Sequence, residues 1–189
     1  FAQSGIIEIS SAEDFLKIGK NGGYDAGSSF KQTADIDLGN RGPSAIISSF
    51  YGTYDGNGYN ITYGAEFDSQ RDVDDATYAL FGTVTGTIKK LNLDANVTMS
   101  ASGSDMRCGL LCGYLQDQGT IEYCNVTGNI NSTADAGFMG SSGTGMIAGR
   151  CDGTIQYCTA SGNVSAPGYV GGIAGQLGGL TIGGHSGDG

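Results

Sequence analysis

One short cassette returns along the chain at a nearly fixed interval. Gly119-Thr120-Ile121-Glu122-Tyr123-Cys124 and Gly153-Thr154-Ile155-Gln156-Tyr157-Cys158 share the form Gly-Thr-Ile-x-x-Cys, and Gly86-Thr87-Ile88-Lys89-Lys90-Leu91 is a near copy. The intervals are 33 and 34 residues, a period that marks stacked-repeat architectures. A unit this short cannot enclose a core alone, so each coil buries its apolar side on the next. The repeated positions are therefore scaffold first.

Each repeat divides into three short strands. The cassette supplies the first. Leu93-Asp94-Ala95-Asn96-Val97 begins a second set, matched by Val126–Ile130 and Ala160–Val164. Gly109-Leu110-Leu111-Cys112-Gly113 begins a third, matched by Gly145–Gly149 and Gly171–Gly175. Three strands per turn predict an all-β chain wound as a parallel three-sided β-helix, a solenoid. Ile88, Ile121 and Ile155 form one expected interior ladder, and Leu111, Ile147 and Ile173 another. Glycine, at 35 residues, fits tight corners in every coil.

The organisation is one domain over 1–189. Residues 1–9 read as an edge or donor strand. Residues 10–20 predict a short N-terminal capping α-helix, with Ser10 and Glu13 as its capping box, an apolar face of Phe15, Leu16 and Ile18, and Gly19 or Gly22 as its stop. Residues 30–84 form irregular first coils, 85–182 the regular repeats and 183–189 a Gly-rich tail.

Charge and cysteine content narrow the partners. Nine basic against 19 acidic residues give a formal charge of −10, which repels phosphate backbones and anionic membranes. Nucleic acid is excluded as an expected partner, and no apolar run is long enough to insert in a bilayer. The chain starts at Phe1 without a leader, which reads as a processed or excised segment. Asn60, Asn96, Asn125, Asn131 and Asn163 each head an Asn-x-Ser/Thr sequon; the same residues also suit solenoid turns. Cys124 and Cys158 hold equivalent positions in adjacent coils, where strand spacing brings them within disulfide reach. The remaining cysteines read as small buried apolar residues.

These residues resemble the GLUG-repeat family. The resemblance rests on the Gly-flanked third strands, on Ala34-Asp35-Ile36-Asp37-Leu38 and on Phe50-Tyr51-Gly52-Thr53-Tyr54-Asp55-Gly56-Asn57-Gly58. It spans roughly Ser10 to Gly179. It implies an extracellular or cell-surface β-helix of the kind found in surface proteins, adhesins and non-catalytic parts of secreted peptidases, with no shared catalytic residue.

No catalytic, cofactor or metal set emerges. Asp35 and Asp37, on one strand face roughly 6.6 Å apart by rise, have a spacing that glycoside hydrolysis can use, but they fit better as a solvated polar face. Asp55 is first a turn residue. The acidic stretch Glu66, Asp68, Asp72, Asp74 and Asp75 lacks calcium-loop spacing. His185 is the only histidine. The outward file Thr87, Thr120 and Thr154 suggests ice binding, and Tyr123 with Tyr157 a carbohydrate platform. Both are lesser readings beside scaffold.

The coil ends remain. Leu180 and Ile182 begin a further coil with no polar cap, and open ends expose unpaired backbone groups. The sequence therefore expects a non-enzymatic structural or adhesive module that joins head to tail through Ile6, Ile7 and Ile9 on one side and Leu180 and Ile182 on the other. The partner is another copy, in a fibre, or the rest of a larger surface protein. The alternative is a carbohydrate-active or carbohydrate-binding protein.

Overall fold

The computed structural model describes residues 5–41, 46–67, 77–100, 106–133 and 143–178. Leu180, Ile182 and His185 lie outside that set, as does the acidic stretch beyond Glu66. All strand pairs are parallel, and each strand of the regular array pairs with its equivalent one repeat later. This is the β-helix-like winding that the period implies.

Each full coil contributes to four sheets. The first sheet holds β1 (Ile6–Ile9), β2 (Ser29–Gln32), β5 (Thr53–Asp55), β9 (Thr87–Lys89), β13 (Thr120–Glu122) and β17 (Thr154–Gln156). The second holds β3 (Ile36–Arg41), β6 (Asn60–Phe67), β10 (Asn92–Met99), β14 (Asn125–Ser132) and β18 (Thr159–Ser165). The third holds β7 (Thr77–Tyr78), β11 (Arg107–Gly109), β15 (Gly143–Gly145) and β19 (Val170–Gly171). The fourth holds β4 (Ile47–Phe50), β8 (Phe81–Val84), β12 (Cys112–Leu115), β16 (Ala148–Cys151) and β20 (Ala174–Leu177).

The expected third strand is thus two. It breaks at Leu110-Leu111, and again at Met146-Ile147, where the apex side chains turn into the core. The glycines on either side explain the break. A Cβ on Gly149 would lie 2.5 Å from the Cys108 nitrogen and 2.8 Å from the Gly113 carbonyl oxygen. One on Gly113 would meet Thr77 Cβ at 2.6 Å and the Gly82 oxygen at 2.9 Å. The third and fourth sheets fold against each other backbone to backbone, and no side chain fits between them.

The interior ladders follow the sequence. Ile88, Ile121 and Ile155 pair in register, and Cys112 N–H and Ile147 N–H donate to the carbonyls of Ile147 and Ile173. Register also reaches further toward the N-terminus than the cassettes mark: Thr53 pairs with Thr87 and Ser29 with Thr53. The irregularity of the early coils is confined, among these pairs, to a register shift between Asp37 and Asn40.

The capping helix is present as α1 (Ala12–Leu16), but its cap is Ser11. Ser11 Oγ accepts from Asp14 N–H at 3.2 Å and donates to Asp14 Oδ2 at 2.9 Å, so the capping pair is Ser11 with Asp14 rather than Ser10 with Glu13. Ser11 has the extended backbone an N-cap needs. Gly19 and Gly22 both adopt positive φ after the helix. Phe15 is buried and meets Tyr54 and Phe81 edge-on, with ring centres 5.6 and 5.8 Å apart. Phe30 and Phe50 complete an aromatic plug, while later coils are filled by Ile, Leu, Val and Cys. Tyr54 and Gln32 keep the plug's buried polar atoms satisfied: Tyr54 Oη donates to Gln32 Oε1 at 3.0 Å, and Gln32 Nε2 donates to the Ala34 and Asn60 carbonyls.

Gly149→Ala forces the folded-back sheets apart and should cost about 1–3 kcal/mol, the range of overpacking. Gly172→Ala meets open space and should change stability by less than about 1 kcal/mol. Denaturant titration of both variants checks the contrast; equal losses would show that the close approach is not limiting.

Candidate functional site

The strands display their outward residues in straight files, because parallel in-register stacking places like positions above one another. On the first sheet one file is Ile6, Ser29, Thr53, Thr87, Thr120 and Thr154. The threonine file is single and one residue longer than the cassettes show. The other is Glu8, Lys31, Asp55, Lys89, Glu122 and Gln156. Charge alternates along it. Lys89 Nζ lies 3.9 Å from Asp55 Oδ2, and Gln156 Nε2 donates to Glu122 Oε2 at 2.8 Å.

The second sheet carries asparagine ladders. Asn125 Nδ2 donates to Asn92 Oδ1 at 2.8 Å, Asn129 Nδ2 to Asn96 Oδ1 at 2.8 Å, and Asn163 Nδ2 to Asn129 Oδ1 at 3.1 Å. All five sequon asparagines, Asn60, Asn96, Asn125, Asn131 and Asn163, are exposed on this one sheet. The side-chain nitrogens of Asn125 and Asn163 are already ladder donors, and that of Asn60 donates to Asp35 Oδ1. The sequons therefore have a scaffold role of their own.

The candidate acids are engaged in turns. Asp35 Oδ1 accepts from Asn60 N and Nδ2 at 2.8 and 3.0 Å. Asp37 Oδ1 accepts from Gly39 N, and Asp55 Oδ1 from Asn57 N. Asp35, just before β3, and Asp37, on it, are both exposed while Ile36 and Leu38 between and beyond them are buried, so the expected alternation is present, with each carboxylate engaged locally. Among the described residues no three His, Cys, Asp or Glu side chains gather to hold a metal ion, and no helix is long and apolar enough to cross a membrane.

Tyr123 and Tyr157 follow the cassette strands with φ of 54° and 53°, as Lys90 does at 52°. This left-handed corner is uncommon for a bulky residue. It sets the rings one above the other, centres 4.9 Å apart and nearly parallel. A stack along the winding axis offers a sugar only its outer face, not the side-by-side surface a platform needs.

One polar cluster draws on two sheets. Tyr114 and Arg150 are register partners on the fourth sheet, and the fold at Leu110-Leu111 brings Arg107 of the third sheet to the same ring. The guanidinium carbons of Arg107 and Arg150 lie 4.6 and 5.2 Å from its centre. Tyr114 Oη donates to Asp152 Oδ2 at 2.6 Å, and Arg150 holds both Asp152 oxygens at 2.9 Å. Burial pushes the Asp152 carboxyl up, yet Arg150, Tyr114 and Arg107 together hold it below its usual value. Beside this cluster lies a cleft of about 340 Å³ lined by Thr85, Tyr114, Gln116, Asp117 and Gln118.

All five cysteines are free thiols. Cys124 and Cys158 are neighbours, as their spacing expects, with Cys124 N–H donating to Cys158 Sγ at 3.4 Å, but they are not bonded to each other. The Cys124 thiol donates to Cys158 and holds that group below its ordinary pKa, while burial opposes the shift. The same bond, with burial, pushes Cys124 up. Burial alone pushes Cys108 up to about 12.

The coil ends differ. Ile6 is exposed and Ile7 half-buried, but Ile9 is fully buried. Alternation turns Ile7 and Ile9 inward, so Ile9 belongs to this molecule's own core and not to an interface. At the other end Ile173 is 42% exposed, whereas its equivalents Leu111 and Ile147 are at 0%. Tyr169, Val170 and Leu177 are exposed with it.

Parallel coils, side-chain files and a glycine-packed fold define a β-helix-like repeat protein. Within it, residues 106–131 match the GLUG motif, so the chain carries the family signature that its glycine-flanked strands suggest. The match covers β11, the Leu110-Leu111 fold, β12, β13 and most of β14. No curated protein and no solved structure matches the chain.

A lowered pKa means that Cys158 ionises before the buried thiols as pH rises. Iodoacetamide near neutral pH should therefore label Cys158 first, by peptide mass mapping, and Cys124→Ala should move the pH–rate profile upward by removing the donor. Labelling of Cys108 as fast as Cys158 would contradict the assignment.

Proposed function

We propose that this chain is a non-catalytic extracellular module, structural or adhesive, that joins to itself through its coil ends to build a fibre. The observation that carries this reading is the last coil of the described residues. A ladder that is fully buried at Leu111 and Ile147 continues to Ile173 in the open, and covering a side chain of this size is worth about 1.5–3 kcal/mol. Support comes also from the carboxylates, which act in turns and files, and from the GLUG motif, whose family is associated with extracellular regions.

The two ends are unequal partners in such a joint. Phe15 and the aromatic plug close the first coil, so the head side offers mainly the edge of β1, with Ile6 and Ile7. Wild-type protein should form elongated oligomers that grow with concentration, seen by sedimentation velocity and negative-stain microscopy. Ile173→Lys should weaken association at least about fivefold, as loss of an interface anchor does. Single particles at every concentration would overturn the proposal.

The cleft beside Tyr114 favours a second reading, carbohydrate binding. Its amides, hydroxyls and carboxylate suit the donors and acceptors of a sugar. Glycan-array binding that Gln116→Ala with Gln118→Ala abolishes would support it. An array without hits removes it, and bound glycans released unchanged rule out turnover.

A further inference from the structure

We propose that the outer face of the second sheet binds ice, as a rigid two-dimensional array of small polar groups. The coil ends take no part, so this function goes beyond self-association and belongs to a single molecule.

β6, β10, β14 and β18 run in register over seven or eight residues. Each presents four outward positions, exposed or half-buried, and like positions fall directly above one another. Rungs are about 4.7–4.9 Å apart, and outward neighbours on one strand roughly 6.6 Å. Those two steps lie close to the repeats of water oxygens on a prism face of hexagonal ice. The outward positions of these strands are Asn, Thr, Ser and one Gly, with Asp94 and Glu66 as the two charged points. No ammonium stands among them to hold its own water. No aromatic ring stands among them to stack on the apolar face of a sugar. The first sheet offers less, because its single threonine file runs beside a file of alternating charge.

The array is also held still. Asn92 Oδ1 accepts from Asn125 Nδ2, and Asn125 Oδ1 from Thr159 Oγ1. Asn96 Oδ1 accepts from Asn129 Nδ2, and Asn129 Oδ1 from Asn163 Nδ2. Thr127 Oγ1 donates to the Leu93 carbonyl at 3.2 Å. Immobilising loose side chains on contact with a crystal costs rotamer entropy, whereas here the fold has already fixed them. Each ladder amide gives one of its two hydrogens to the neighbouring rung and keeps the other for water. Waters on the face therefore repeat with the rungs, and a crystal layer can grow onto that order.

The test uses the full chain from a host that adds no N-glycans, because sugars on Asn96 or Asn131 would cover the array. Thermal hysteresis, crystal shaping and uptake into a growing ice front are read on the purified protein, and wild type should show all three. Thr98→Tyr and Ser161→Tyr each lift a ring out of the face at an exposed position. Both should abolish hysteresis while the far-UV spectrum and melting stay unchanged, and Thr98→Ser should retain it. Asp94→Asn removes a strongly hydrated charge and should raise it. Thr120→Lys, on the first sheet, should leave it unchanged. Hysteresis in a monomeric wild type keeps this inference even where self-association fails. A wild type that neither shapes nor halts ice overturns it. So does loss with Thr120→Lys while Thr98→Tyr and Ser161→Tyr stay active, which would move ice binding to the first sheet. Binding to crystalline chitin or cellulose without hysteresis would assign the face to a glycan and equally overturn it.

Discussion

The close approach of backbone to backbone between the third and fourth sheets is the constraint on which the rest of the structure depends. At Gly113 and Gly149 no Cβ can be accommodated. Because the two sheets touch there, the chain must reverse within two residues, and Leu110, Leu111, Met146 and Ile147 are driven inward as the apex of the core. That inward turn also swings β11 and β12 toward each other, which is how Arg107 reaches Tyr114 from a different sheet than Arg150. The polar cluster, the cleft beside it and the interior ladder thus share one origin, the absence of side chains at a few recurring positions. The GLUG motif falls on this segment.

Much of the winding was legible in the sequence because the repeat acts twice. It sets which residues face inward and which residue lies above which. Ile121 above Ile88, Val126 above Leu93 and Gly145 above Gly109 are all direct readings of spacing. The split third strand was not legible. Gly-Leu-Leu-Cys-Gly alternates poorly either way, and a run of buried residues looks the same whether straight or folded. The helix cap slipped by one residue because Ser10 and Ser11 are chemically equal and only backbone geometry separates them. Ile9 was misassigned because Ile6, Ile7 and Ile9 carry no mark of which face is covered.

The candidate sites divide in the same way. Acids that looked like a pair, Asp35 and Asp37, are absorbed by local hydrogen bonds that depend on the exact turn, which spacing does not encode. The Tyr114 cluster was hidden because Tyr114 and Arg150, though register partners, differ in residue type, and Arg107 joins them from another sheet. The asparagine ladders were partly visible as sequons, but their chemistry belongs to stacking. An amide can donate to the rung below and accept from the rung above, so a file of asparagines binds successive coils without net charge. The alternating charges of the first sheet act differently. They are weak in any one pair, yet a slip of two residues along a strand would set a charged side chain against a threonine or serine and lose the pairing.

The aromatic plug under α1 gives the molecule a direction. A repeat array gains stability from each neighbour it has, and the first coils have a plug on one side and a coil on the other. Among the described residues, the coil of Ile155, Val164 and Ile173 is only partly covered and packs on a described coil on one side alone. Loss of structure therefore starts there and travels toward the N-terminus one rung at a time, like a zipper held at one end. Backbone amides of β18 to β20 exchange their hydrogens soonest, and those of β2 and β5 latest. The same asymmetry separates a dense anchor from a pliable tip within one short chain.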